Sequence, residues 1–232
     1  MNSEFERTAL LLGDEAMERL FAASVAVFGV GGVGGYAVEA LARCGVGKIT
    51  LIDSDAVSVS NINRQIIATT KTVGRLKVEV AKERILEINP KAEVEIYPIF
   101  YSAETAGNFN LSSYDYIVDA IDSVKSKLLL IKNAKDAGVP IISSMGAGNK
   151  LDPTAFSVSD ISKTSVCPLA KTIRCELRKM GIFHLKVVYS KEEPKKVFID
   201  DKNRHAPASI SFVPSVVGLI TAGEVVKDIA LL

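Results

Sequence analysis

The chain has 232 residues, 48% hydrophobic and 24% charged, with a formal net charge of +1 and enough length to bury a full core. That balance excludes a strong overall pull toward nucleic acid or membrane. The three cysteines, Cys44, Cys167 and Cys175, are too few and too irregularly spaced for a disulfide framework or a zinc site. No basic region followed by an apolar core opens the chain, and the apolar stretch 213–220 is interrupted by Pro214 and Gly218, so a cytoplasmic protein with no membrane contact is expected.

In chain order, 24–30 reads as a buried strand entering the turn Gly29-Val30-Gly31-Gly32-Val33-Gly34, and 34–44 as a helix with Val38, Leu41 and Ala42 on its apolar side. Residues 48–53 form a second strand that ends in Asp53. Two strands around one helix make a βαβ unit, whose crossover is right-handed and whose sheet is parallel. The polar stretch 54–72 is long for a connection within a compact domain, which marks it as functional or disordered. In 74–89 the residues Val78, Ala81, Ile85 and Ile88 recur at helical spacing, and Pro90 ends the helix. Strands follow at 93–98 and 114–120, a helix at 123–138 and a fifth strand at 139–144. The alternation predicts a doubly wound, mostly parallel α/β domain of Rossmann type over residues 1–150. Past Gly146-Ala147-Gly148 it weakens to a strand at 155–158, a basic amphipathic helix at 168–180, a strand at 186–189 and a solvated charged run at 191–207. Residues 151–232 are expected to be a smaller C-terminal extension of the same unit for substrate binding or dimerisation, with a helix around 216–229 as the dimer surface.

Gly29, Gly31, Gly32 and Gly34 follow a strand and open a helix. Glycine there lets phosphate oxygens approach amides at a helix N-terminus, although the pattern alone is a weak signal. Asp53, at the end of the next strand, is where an acid takes ribose hydroxyls. Asp55 reads as a loop or capping residue close enough to be a second contact. A dinucleotide site needs little beyond helix amides. A triphosphate attacked by a carboxylate also needs cations and a metal, which Arg64, Lys77 and Asp122 could supply. Taken singly each has a plainer reading: Arg64 and Lys77 as solvated cations, Asp122 as the cap of the helix beginning near Ser123.

Taken together, the turn, Leu51-Ile52-Asp53-Ser54-Asp55, Ser60-Asn61-Ile62-Asn63-Arg64-Gln65, Val73-Gly74-Arg75-Leu76-Lys77-Val78-Glu79 and Asp119-Ala120-Ile121-Asp122 resemble the ThiF-like adenylyltransferases, bacterial relatives of ubiquitin-activating enzymes. The resemblance implies ATP and Mg2+ as cofactors. It implies ribose contact by Asp53, phosphate contacts by Asn61, Arg64 and Lys77, and magnesium on Asp122. Gln65, Ser123, Asp55 and the four glycines are counted with the nucleotide contacts. Arg7 matches an arginine that enters the ATP site from the other subunit, so a homodimer is implied and Arg7 joins Arg64, Lys77 and Asp122 as a catalytic residue. Its plainer reading is an exposed terminus.

Within that family, Asn61 to Ile66, Asp119 to Val124 with Lys127, Gly146-Ala147-Gly148 before Asp152-Pro153-Thr154, and 160–164 before Pro168 are most similar to the branch that dehydrates threonylcarbamoyladenosine in tRNA. The implied substrate is tRNA carrying that nucleoside, and a sulfur-transfer protein partner is left open. Between Asp160 and His205 eleven lysines and arginines face six aspartates and glutamates, a net of five positive charges. Lys171, Arg174 and Arg178 lie there at spacings of three and four, on one helical face suited to tRNA phosphates. Three rival readings stay open. One is an enzyme that activates the C-terminus of a sulfur-carrier or ubiquitin-like protein, with a thioester at Cys167. The others are a nicotinamide-dependent oxidoreductase and a nucleotide-binding regulator that never turns over.

Overall fold

In the computed structural model, residues 4–196 and 207–231 are described. Two helices open them, α1 (Glu6–Leu12) and α2 (Asp14–Ala22), followed by β1 (Ser24–Phe28), α3 (Gly34–Arg43) and β2 (Lys48–Ile52). Then come α4 (Lys77–Ile88), β3 (Glu93–Tyr97), β4 (Tyr116–Asp119), α5 (Val124–Asp136) and β5 (Ile141–Ser144). The remaining elements are β6 (Phe156–Asp160), α6 (Pro168–Lys179), β7 (Lys186–Ser190) and α7 (Phe212–Ala230). Neither α1 nor α2 is anticipated by the sequence reading. Part of the charged run, 197–206, lies outside the described residues.

The seven strands form one sheet in the order β3-β2-β1-β4-β5-β7-β6, parallel except for β6. The expected doubly wound α/β architecture is the one observed. Central strands read as continuous apolar runs because helices cover both faces: Val25, Ala26, Val27 and Phe28 are all fully buried. One apolar cluster joins Val25 and Val27 to Leu41 of α3, Ile85 of α4 and Val217 of α7. The other joins Ala26 and Phe28 to Ile131 of α5 and Ile173 of α6. The strand order reverses between β1 and β4, which opens a crevice beyond their carboxyl ends.

Residues after 150 complete this sheet. β7 hydrogen-bonds beside β5, and β6 pairs with β7. Pro214 does not break α7, because it stands in the first helical turn, where no intrahelical N–H bond is lost. Gly218 is what lets α7 lie against α3. A methyl group on it would stand 2.3 Å from the Val33 carbonyl oxygen and 2.8 Å from Tyr36 Cβ. One side of this helix, with Val213, Val217, Thr221, Val225 and Val226, is buried within its own chain, while Phe212 and Leu219 on it stay exposed. Among the described residues no helix is long and apolar enough to cross a membrane.

Candidate active site

The crevice is lined by the connections that leave β1, β2 and β4. Gly29 adopts a φ of +90°, open to glycine at little cost, and a methyl there would meet the Ala120 carbonyl oxygen at 2.6 Å. Gly34 begins α3 so close to β1 that a methyl would lie 1.7 Å from the Gly29 oxygen. Gly32 faces the side chains of Pro214 and Arg64, and Gly31 faces Gln65. Val33 gives α3 no side-chain cap; the Gly35 amide donates to the Gly31 carbonyl at 2.9 Å, which leaves the other first-turn amides, those of Gly34 and Tyr36, with the capacity to bind phosphate oxygens.

Asp53 stands just past β2. One carboxylate oxygen accepts the Val30 amide at 2.7 Å and the other accepts the Asp55 amide at 2.8 Å, which fixes the acid beside the turn. Burial pushes its carboxyl above the ordinary aspartate range, and Lys77 with the two amides opposes this only in part. A folded-state pKa above the unfolded one means that Asp53 contributes to stability at low pH, and that this contribution is lost as pH rises through the folded value. With Asp53 as the expected ribose acceptor, nucleotide binding should have the opposite sign, since protonation removes that acceptor. Affinity should fall on acidification from a pH above the usual aspartate range, and Asp53→Asn should show no such step. Calorimetric titration of ATP across pH tests this; a wild-type profile flat down to ordinary aspartate pH would contradict it.

Lys77 is the first residue of α4 and is 5% exposed. Its ammonium lies 2.7 Å from Asp55 Oδ2 and 3.9 Å from Asp53 Oδ1. Asp55 therefore steers the lysine with its carboxylate, beyond the loop or capping role read for it. The long polar connection is ordered rather than loose. A short 3-10 turn, Val59–Asn61, is closed by Asn61, whose side-chain oxygen accepts the Ser58 amide at 3.0 Å. Asn61 is buried, so its side chain shapes the loop directly. Arg64 donates to the Ser60 carbonyl at 2.7 Å and to Asn63 at 2.9 Å, while its stem passes Gly32. Gln65 is buried, and its Oε1 is the one buried side-chain polar atom without a partner among the described residues. Such an orphan beside a glycine turn suits a ligand donor.

Asp122 is exposed, two residues past Ala120, whose carbonyl oxygen touches Gly29. It does not cap α5; Ser123 has the extended backbone of a cap and accepts the Ser126 amide at 3.4 Å. Among the described residues no three His, Cys, Asp or Glu side chains converge on a metal-sized site. A lone carboxylate at the crevice fits Mg2+, a hard cation that keeps several waters and is held largely through phosphates. The structure thus brings Gly29 to Gly34, Asp53, Lys77, Arg64, Gln65 and the Asp122 turn to one edge. Two pockets of about 440 and 620 Å3 lie elsewhere, lined by Phe5, Arg43 and Arg84 and by Ala23, Tyr116 and Asp228.

Arg7 is not brought to this edge. It is exposed on α1, which begins beside Arg43 and Ile88, at the far ends of α3 and α4. Of the basic helical face, Lys171 and Arg178 are exposed, whereas Arg174 donates to the Thr164 carbonyl at 2.9 Å and to its hydroxyl. Arg174 is half-buried and one of its guanidinium nitrogens also braces the turn before α6. Cys167 is 2% exposed at the start of α6. Sequence reasoning gave no role to Asp119, Lys127 and Ser143, which form a buried polar cluster under the Asp122 turn. The available signal was a lysine inside the apolar stripe Leu128, Leu130, Ile131 and Ala134, eight residues after a strand-terminal acid.

A model of the ThiF family matches residues 5–231. The chain belongs to the ThiF family. A tRNA threonylcarbamoyladenosine dehydratase of Bacillus subtilis is 46% identical over 242 residues, which covers 99% of this ThiF-family chain and 95% of that protein. One of the same name from Escherichia coli is 43% identical over 174 residues, 75% of this chain and 65% of the relative. Among solved structures, the Escherichia coli tRNA N6-threonylcarbamoyladenosine dehydratase TcdA in complex with ATP superimposes with a TM-score of 0.90 at 35% identity, over 98% of this chain and 94% of that one. Sequence and fold thus agree on the family across nearly the whole length of this ThiF protein.

Proposed function

We propose that this chain dehydrates threonylcarbamoyladenosine in tRNA at the expense of ATP, through a carboxyl-adenylate. The observation that carries the reading is the convergence of Asp53, Lys77, Arg64 and the Asp122 turn on Gly29 to Gly34, within a chain 46% identical to a named dehydratase over almost all of its length. Asp53 holds the ribose, and the first-turn amides of α3 hold phosphate oxygens. Asn61 orders the loop that presents Arg64, and Gln65 and Ser123 complete the nucleotide contacts. Lys77 and Arg64 neutralise charge that builds on the phosphates as the threonyl carboxylate attacks the α-phosphorus and pyrophosphate leaves. Mg2+ held by Asp122 would supply Lewis-acid stabilisation of those oxygens. The neighbouring carbamoyl group then attacks the acyl carbon and AMP departs, closing a ring with the net loss of one water. Proximity carries that second step, and no enzyme nucleophile is needed.

Arg7 lies too far from its own crevice to act there, so its catalytic role requires a homodimer in which one copy completes the other's site. No sulfur donor enters this chemistry, and a sulfur-transfer protein would be an auxiliary partner only. The free thiols Cys44, Cys167 and Cys175 suit a reducing cytoplasm. The sulfur-carrier alternative needs an accessible thiol, which the burial of Cys167 disfavours. Family membership favours adenylation over hydride transfer.

The decisive experiment is mass spectrometry of nucleosides after incubating tRNA that carries threonylcarbamoyladenosine with ATP, Mg2+ and the protein. Loss of one water from the modified nucleoside is expected, and an unchanged mass with active protein would overturn the proposal. For tRNA docking, Lys171→Ala with Arg178→Ala should lower the slope of log affinity against log salt by about 2, one per phosphate contact, as measured by filter binding. An unchanged slope would remove α6 from the interface.

A further inference from the structure

Lys127 is completely buried, as is Asp119. The lysine stands one turn inside α5, and its ammonium has three protons for three acceptors: Asp119 Oδ2 at 2.8 Å, Ser143 Oγ at 3.2 Å and the Ser144 carbonyl at 3.1 Å. Asp119 Oδ2 also accepts the Ser143 hydroxyl at 2.6 Å, and Asp119 Oδ1 accepts the Ile121 amide at 3.2 Å. The Ser144 hydroxyl reaches the Asp119 carbonyl at 3.3 Å. The ends of β4 and β5 and the first turn of α5 are thus tied through one ammonium.

A buried ion pair is a poor way to gain stability, because desolvation offsets the attraction and packed apolar residues serve as well. What it does provide is a single geometry. Only three residues separate Asp119 from Ser123, the cap of α5, and both ends are fixed: Ala120 donates its amide to Phe28 and Asp119 holds the Ile121 amide. Asp122 is the exposed residue at the apex of that span and makes no hydrogen bond or ion pair among the described residues.

We infer that the Lys127–Asp119–Ser143 cluster positions Asp122 for its ligand, so that these buried residues set the affinity of the nucleotide site for its divalent cation without touching it. The inference rests on the reading of Asp122 as the carboxylate for magnesium. Three readouts separate the two. The first is electron paramagnetic resonance of Mn2+ bound in the presence of a non-hydrolysable ATP analogue. The second is affinity for the same analogue without metal, and the third is hydrogen exchange of residues 120–123 in the free protein.

Asp119→Leu with Lys127→Met keeps the branching of one side chain and the length of the other, and leaves no lone buried charge. It is expected to weaken Mn2+ at least tenfold, leave metal-free nucleotide affinity within twofold and speed exchange across 120–123. Ser143→Ala removes one hydroxyl and no charge. It should weaken Mn2+ about threefold and decides the matter if the double variant does not fold. Wild-type Mn2+ affinity in a folded variant overturns the positioning role. If Asp122→Ala also binds Mn2+ as wild type, the assignment of the cation to Asp122 falls instead, and the inference falls with it.

Discussion

Replacing Gly34 with alanine is expected to weaken nucleotide binding sharply and to destabilise the fold. The new methyl would stand 1.7 Å from the Gly29 oxygen, 2.9 Å from the Gly29 carbonyl carbon and 3.2 Å from Ala120 Cβ. The first two obstacles are backbone, so no side chain can rotate away. Either β1 and α3 part, or the turn between them unwinds, and in both cases the amides beside the phosphates lose their common aim. A cost of about 3 kcal/mol is expected, at the upper end of overpacking effects. ATP affinity should fall by roughly 100-fold or more, about 2.7 kcal/mol. Denaturant titration and calorimetry read the two effects separately. An alanine variant that binds ATP normally would mean that the turn is not the phosphate site.

Lys77→Met should combine a large catalytic loss with a smaller structural one. The lysine balances Asp55 and the nearly buried Asp53, and removing it leaves Asp53 in an apolar setting without its cation. That should lower stability by about 3 kcal/mol, the lower end for a broken buried pair. Pairing it with Asp53→Asn should recover much of this loss. Activity should not recover. The missing cation would still be needed where pyrophosphate departs, and ATP–pyrophosphate exchange should stay down by roughly 100- to 1,000-fold in both variants, as when one preorganised donor is lost. Recovery of exchange in the double variant would show that Lys77 only keeps Asp53 company.

Much of this arrangement was legible in the sequence because it rests on short-range devices. A strand, a glycine turn and a helix place Asp53 and Asp122 at one sheet edge by topology alone, and the alternation of elements predicts a mostly parallel sheet through β5. The reading stopped short where long-range contacts decide. Nothing local announces that Arg174 will turn back onto Thr164, or that Pro214 opens a helix rather than interrupting one. The first two helices, which the sequence reading omits, carry few buried residues: α1 buries none, and α2 only Ala16, Met17 and Leu20. Lys127 enters the sequence reading only as part of a motif, because its partners, Asp119 and Ser143, come from two different strands.

The contact between Gly218 and the Val33 carbonyl joins events far apart in the chain. The wall behind the first turn of α3 is made by residues more than 180 positions later, and Pro214 rests against Gly32 itself. A nascent polypeptide is therefore expected to complete this wall only once α7 has left the ribosomal tunnel, although every glycine, acid and lysine of the crevice has long since emerged. A fragment ending at residue 150 should accordingly bind no ATP, and one that bound it with full affinity would refute this dependence on late synthesis.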